Sequence, residues 1–205
     1  MRFTGHLDLQ RTWERTLRRA GLQLAYTQGY NPRPRLQLSP ALPLGCTSEC
    51  EMIDIWLETP LAQDEVLARL KDSAPPGISV SDAQPAPAND PALQNQVTSV
   101  EYHASLPDRP IEADVAARVE ELLRADTIQR TRRGKSYDLR PLVESLVLLP
   151  AEPAGRTNLE MTLASREGAT GRPEEVLLEL GFDPAECSIE RTRLLRAVPQ
   201  EHQAE

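Results

Sequence analysis

The 205 residues carry 31 acidic and 23 basic side chains, a formal net charge of -8, and 40% apolar residues with only 4% aromatic. That allows one large or two small cores filled by aliphatic side chains, and no apolar run approaches the roughly 20 residues that span a bilayer. Three cysteines, an odd number, with no leader-like segment, argue against a disulfide scaffold and for a soluble protein in a reducing, cytoplasmic setting.

The charge is unevenly spread. Residues 1–45 hold seven arginines against Asp8 and Glu14, a balance of +5. Residues 127–141 balance to +4 through Arg130, Arg132, Arg133, Lys135 and Arg140 against Asp138, which leaves -17 for the remainder. Two basic islands in an acidic body suit an anionic partner, because the local field decides what is captured while global charge decides solubility.

In chain order, Asp8 is expected at the N-cap of a helix over residues 9–20. At about 100° per residue, Leu9, Trp13, Leu17 and Ala20 fall on one side and Arg11, Arg15, Arg18 and Arg19 on the other, so the apolar stripe sinks and the guanidinium stripe stays in water. Gly21 is expected as the left-handed residue that ends the helix. Residues 22–26 read as a strand and 29–35 as a stiff loop, since each proline fixes its own φ and holds the preceding residue extended. Arg33 and Arg35, two apart in an extended segment, share a side. With Tyr30 and Asn31 beside them they offer guanidinium, amide and aromatic groups suited to phosphates and bases.

Residues 51–57 alternate as a strand with Ile53, Ile55 and Leu57 toward the core. Thr59-Pro60 opens a helix carrying Val66, Leu67 and Leu70, and residues 78–81 make a short strand. Residues 82–96 lack periodicity and hold three prolines, which marks a linker between a domain over 1–81 and one over 97–197, with a frayed tail at 198–205. In the second half Val100, Tyr102, Ala104 and Leu106 alternate as a strand. Pro110 opens a helix marked by Ile111, Val115, Val119 and Leu122. Residues 127–133 form a basic strand turning at Gly134-Lys135. Residues 137–150 supply a short strand, a helical turn near Leu142 and a second strand. Residues 158–164 alternate again, Pro173 opens a helix with Val176, Leu177 and Leu180 that ends at Gly181, and residues 187–195 close the chain.

This order predicts an α+β protein of two tandem ferredoxin-like (split βαβ) units with antiparallel sheets, the first strand of the first unit being truncated. Open sheet faces of this kind serve as RNA platforms.

The segment Phe3-Thr-Gly-His-Leu-Asp-Leu, the helix with Glu14-Arg15 and Leu17-Arg18-Arg19-Ala20-Gly21, then Gln28-Gly-Tyr-Asn-Pro-Arg-Pro-Arg35 and Leu42-Pro-Leu-Gly45 resemble the radical SAM-associated bacterial domain of unknown function, found alone or fused behind a radical SAM enzyme. Arg133-Gly134-Lys135 and Asp138-Leu-Arg-Pro141 are similar to its second-half motif, so the resemblance covers most of the chain. It implies a radical SAM partner and work on RNA, with no established activity. Members usually have a longer strand before the Phe-Thr-Gly-His segment, whereas here Met1 sits almost on the motif.

The chain does not itself hold a radical SAM cluster: Cys46 and Cys50 begin such a spacing, but Ile53 occupies the third cysteine's place and Cys187 is distant. A metal site of Cys46, Cys50 and His6 lacks a second cysteine pair, so no metal or cofactor is expected. His6 and Asp8 are the candidate catalytic pair, His6 as general base on a ribose hydroxyl with arginines stabilising the phosphorane; the structural alternative is a hydrogen-bonded loop histidine beside a cap. His103 and His202 are weaker candidates. The anion-binding set comprises Arg11, Arg15, Arg18, Arg19, Tyr30, Asn31, Arg33, Arg35, Arg130, Arg132, Lys135 and Arg140. The expected function is an RNA-binding accessory that presents these groups to structured RNA for a radical SAM partner. The alternatives are an RNA-acting enzyme using His6 and Asp8, and a protein-interaction subunit that leaves RNA untouched.

Overall fold

A computed structural model describes residues 1–87, 90–107, 112–132, 134–150 and 156–197, without the side chains of residues 112 and 113. The elements run α1 (His6–Arg19), β1 (Leu36–Leu38), β2 (Thr47–Ser48), β3 (Ile53–Ile55), α2 (Gln63–Ser73), α3 (Leu93–Gln96), β4 (Val97–Ser105), α4 (Glu112–Arg124), β5 (Gln129–Arg132), β6 (Lys135–Asp138), β7 (Val143–Leu148), β8 (Asn158–Arg166), β9 (Ala169–Thr170), α5 (Pro173–Glu179) and β10 (Ser188–Arg196). The protein is therefore a mixed α+β structure with mainly antiparallel sheets. Pro110, Ile111, Arg133, His202 and the 198–205 tail lie outside the described residues, as do two positions of the 82–96 linker. Among the described residues no helix is long and apolar enough to cross a membrane.

The chain divides into two compact units, Met1–Leu44 with Glu51–Gln94, and Gly45–Cys50 with Asn95–Glu205. In the first, the apolar spacing of α1 does what it predicts: Trp13 and Leu17 join Leu22, Leu24, Val66 and Leu70 in a core that Leu9, Ala20, Ile53, Ile55 and Leu57 complete. Gly21, at φ 66°, ends the helix. Its amide donates to the Arg18 carbonyl at 3.1 Å and that of Leu22 to the Leu17 carbonyl at 3.3 Å, the double bond of a Schellman cap. The start differs from expectation. The N-cap is Gly5, without a side-chain cap, and Asp8 lies inside the first turn. A carboxylate there still meets the positive end of the helix dipole, so its position in sequence did not separate the two placements.

The strands of this unit are short. β1 pairs antiparallel with β3, with Gln37 opposite Asp54, and single bridges join Leu24 to Leu57 and Tyr26 to Pro34. α2 starts at Gln63 rather than at Thr59-Pro60. Residues 78–81 form no strand: Ile78 and Val80 pack against the core without a ladder partner.

The second unit carries one large sheet in the order β2-β10-β4-β8-β7, with β9 on β8. Alternate residues Val100, Tyr102 and Ala104 of β4, Leu159, Met161 and Leu163 of β8, and Leu146 of β7 are buried, as are Val115, Val119 and Leu122 of α4 and Val176 and Leu177 of α5. The strand that no pattern announces is β2, which pairs parallel with β10 through Thr47 and Ser48. Beside it Arg191 of β10 is 1% exposed, and donates to the Tyr102 hydroxyl at 3.2 Å.

Candidate nucleic-acid interface

The loop predicted to be stiff is held at its base. The Thr27 amide donates to the Arg33 carbonyl at 2.8 Å, and the Arg33 amide donates to the Thr27 hydroxyl at 3.0 Å. With Pro32 and Pro34 limiting the backbone, residues 28–32 form a clasped tip in which Gln28, Gly29, Asn31 and Pro32 are exposed and Tyr30 is 100% exposed. Arg33 is exposed, and its guanidinium has no partner among the described residues. Arg35 lies over the Trp56 ring at 4.9 Å, which orients its cation by the ring quadrupole and leaves the residue exposed.

The arginine face of α1 is uneven in what it offers. Arg11, Arg15, Arg18 and Arg19 are all exposed. Arg11 pairs with Asp8 at 3.3 Å, and Arg18 reaches Glu14 only at 4.0 Å; exposed pairs of this sort hold their partners weakly. Arg19 donates to the Ser73 carbonyl at the end of α2, capping that helix. Arg15 has no partner among the described residues.

In the second unit β5 and β6 form a hairpin in the register Arg130–Tyr137 and Arg132–Lys135, turning at Gly134 with φ 75°. Residues facing each other across an antiparallel pair share a side, so Arg130, Arg132, Lys135 and Tyr137 stand on one face. Arg130 is neutralised by Glu179 of α5. Arg132 and Lys135 have no ion-pair partner among the described residues. Burial, followed by the nearby Glu175 carboxylate, pushes the Tyr137 phenol up and keeps it protonated, against the opposing pull of Arg132, Arg130 and Arg172. Tyr137 is missing from the sequence-based set, although a two-residue turn around Gly134 puts it opposite Arg130.

Arg140 is a correction. Its guanidinium donates to the Leu123 carbonyl at 3.1 Å and to the Val143 carbonyl at 2.9 Å, tying the end of α4 to the start of β7. Asp138 does not pair with that guanidinium either. Its carboxylate accepts the amides of Ile128 at 2.7 Å and Arg140 at 3.0 Å, closing the base of the hairpin.

His6 and Asp8 are both exposed on the first turn of α1. Two positions apart on a helix they point to different sides, and the Asp8 carboxylate meets Arg11. His6 instead lines a cavity with Gln10. The open face of the large sheet carries Glu101, His103, Glu160 and Glu190, with His103 opposite both Glu160 and Glu190. Among the described residues on that face the ring is the His103 imidazole, set between two carboxylates, which disfavours a phosphate backbone beside it. Among the described residues no group of three metal-ligating side chains is assembled. The Cys50 thiol donates to the Arg191 carbonyl at 3.7 Å, and burial, then Asp183 and Glu186, push the Cys187 thiol up to about 11.

No curated protein matches the chain. Residues 1–173 match the family described as "Uncharacterized protein conserved in bacteria (DUF2344)", and with most of its length inside that match the chain belongs to this family.

Proposed function

We propose that the protein is an RNA-binding accessory, working in the cytoplasm beside a radical SAM partner, and that it grips RNA through the clasped loop of its first unit. The observation that carries this reading is the loop itself: a fully exposed Tyr30, and an Arg33 whose guanidinium has no partner among the described residues, on a tip held by Thr27 and two prolines. An exposed aromatic ring on a clasped backbone offers a stacking surface to any base, and a guanidinium nearby holds a phosphate. Arg15, Arg35 and Asn31 extend the surface, and the Arg132–Lys135 face of the hairpin supplies a second one. Arg19, Arg130 and Arg140 support the fold rather than the ligand. The strand order β10-β4-β8-β7, with helices following β4 and β8, supports a split βαβ, ferredoxin-like plan for the second unit, and we extend that plan to the shorter first unit.

Electrophoretic shift with tRNA and rRNA fragments at two salt concentrations tests the function. Binding that weakens with salt and is lost when Tyr30 and Arg33 are replaced supports it. The same affinity for wild type and the double variant would overturn it.

A further inference from the structure

The backbone hydrogen bonds of residues 52–58 run to one side. The Ser39 amide donates to the Met52 carbonyl at 2.9 Å, the Trp56 amide to the Arg35 carbonyl at 3.2 Å, the Ala25 amide to the Trp56 carbonyl at 2.7 Å and the Glu58 amide to the Gln23 carbonyl at 2.8 Å. Asp54 faces Gln37 between them. Successive residues of an antiparallel strand turn their N–H and C=O groups to opposite edges, so those of Ile53, Ile55 and Leu57 lie on the edge away from β1. Among the described residues these amides and carbonyls have no backbone partner. Their side chains are half-buried on the same core as Ile78 and Val80, which alternate like a strand and also lack a ladder.

In the second unit the strand ahead of the first long helix, β4, lies between β8 and β10 and pairs antiparallel with both. On the split βαβ plan proposed above for the first unit, β3 corresponds to β8 and residues 78–81 to β10, and among the described residues no strand occupies the place of β4. We propose that this edge of β3 accepts a single extended segment of another protein, added as a strand. A nucleic acid has no N–H and C=O groups at strand spacing. The edge of an already paired sheet is wider than the one strand that this position holds in the second unit. Side chains alternate along a strand, so the segment needs apolar residues at every second position to cover Ile53, Ile55 and Val80, as Val100, Tyr102 and Ala104 of β4 are buried in their own core. The inference rests on that plan for the first unit and not on RNA binding.

The test uses the full chain and the capped peptide Lys-Val-Thr-Val-Thr-Val-Lys, with amide hydrogen exchange as the readout. In the free chain the amides of Ile53, Ile55 and Leu57 should exchange faster than that of Asp54, which the β1 ladder holds. Peptide at about 100 times its dissociation constant should slow them about 100-fold, together with an amide among residues 79–81. The same peptide N-methylated at its valines lacks the donors of one edge and should bind more weakly. Protection of the β3 amides alone would keep the acceptor edge and overturn the βαβ plan for the first unit. The acceptor itself is overturned by β3 amides already protected in the free chain, by a bound peptide that leaves them exchanging, by equal affinity for the N-methylated peptide, or by affinity for neither.

Discussion

Arg33 and Arg140 both lie in arginine-rich segments, and their surroundings give them opposite jobs. Arg140 satisfies carbonyls at two element ends, so Arg140→Ala should lower stability by at least about 1.5–3 kcal/mol, the range for one hydrogen bond made by a charged group, with RNA affinity per folded molecule unchanged. Arg33→Ala should leave the urea midpoint alone and reduce the slope of log affinity against log salt by about 1, as expected for one lost phosphate contact. Tyr30→Ala should cost about 1–3 kcal/mol of binding through lost stacking without changing that slope. Paired urea melts and salt titrations separate the three variants. Cys187 allows a further check. Its thiol holds its proton up to about 11 against an ordinary value of 9.0. Between those values the folded state binds a proton that the unfolded state has lost, so stability falls as pH rises through the window. A Cys187→Ala variant should show a smaller fall in urea midpoint from pH 9 to pH 11 than the parent.

At the scale of elements, α1 is written into the chain twice, once by the Trp13–Leu17 stripe and once by Gly21. Placing a Cβ at Gly21 meets nothing closer than the Arg69 guanidinium at 3.8 Å, so Gly21→Ala isolates the backbone cost of a left-handed residue, about 1 kcal/mol. Urea unfolding should show a lower midpoint at constant m-value. Strand periodicity was less informative, because alternation reports which side is buried and not what is paired. Ile78 and Val80 alternate and touch the core, yet they have no ladder. β2 was illegible for the opposite reason: two residues carry no pattern, and their partner Glu190–Arg191 in β10 lies far along the chain. The candidate site follows the same logic. Composition identified where the guanidiniums are, but whether a carbonyl or a carboxylate already holds each one depends on contacts between distant segments, such as Arg130 with Glu179.

For the whole molecule, a net charge of -8 makes any affinity for RNA a local matter. On the open face of the large sheet Arg193 pairs with Glu101 at 3.5 Å and Glu160 and Glu190 flank His103, so the positive charge that the proposed binding needs is on the clasped loop and the Arg132–Lys135 face. The measurement that tests this most directly is equilibrium binding of a single-stranded RNA to the full chain and to Tyr30→Ala/Arg33→Ala across a salt series. Log affinity should fall linearly with log salt for the wild type, and the double variant should bind more weakly at every salt concentration, with a shallower slope. Binding that ignores salt, or a double variant that matches the wild type, would contradict it.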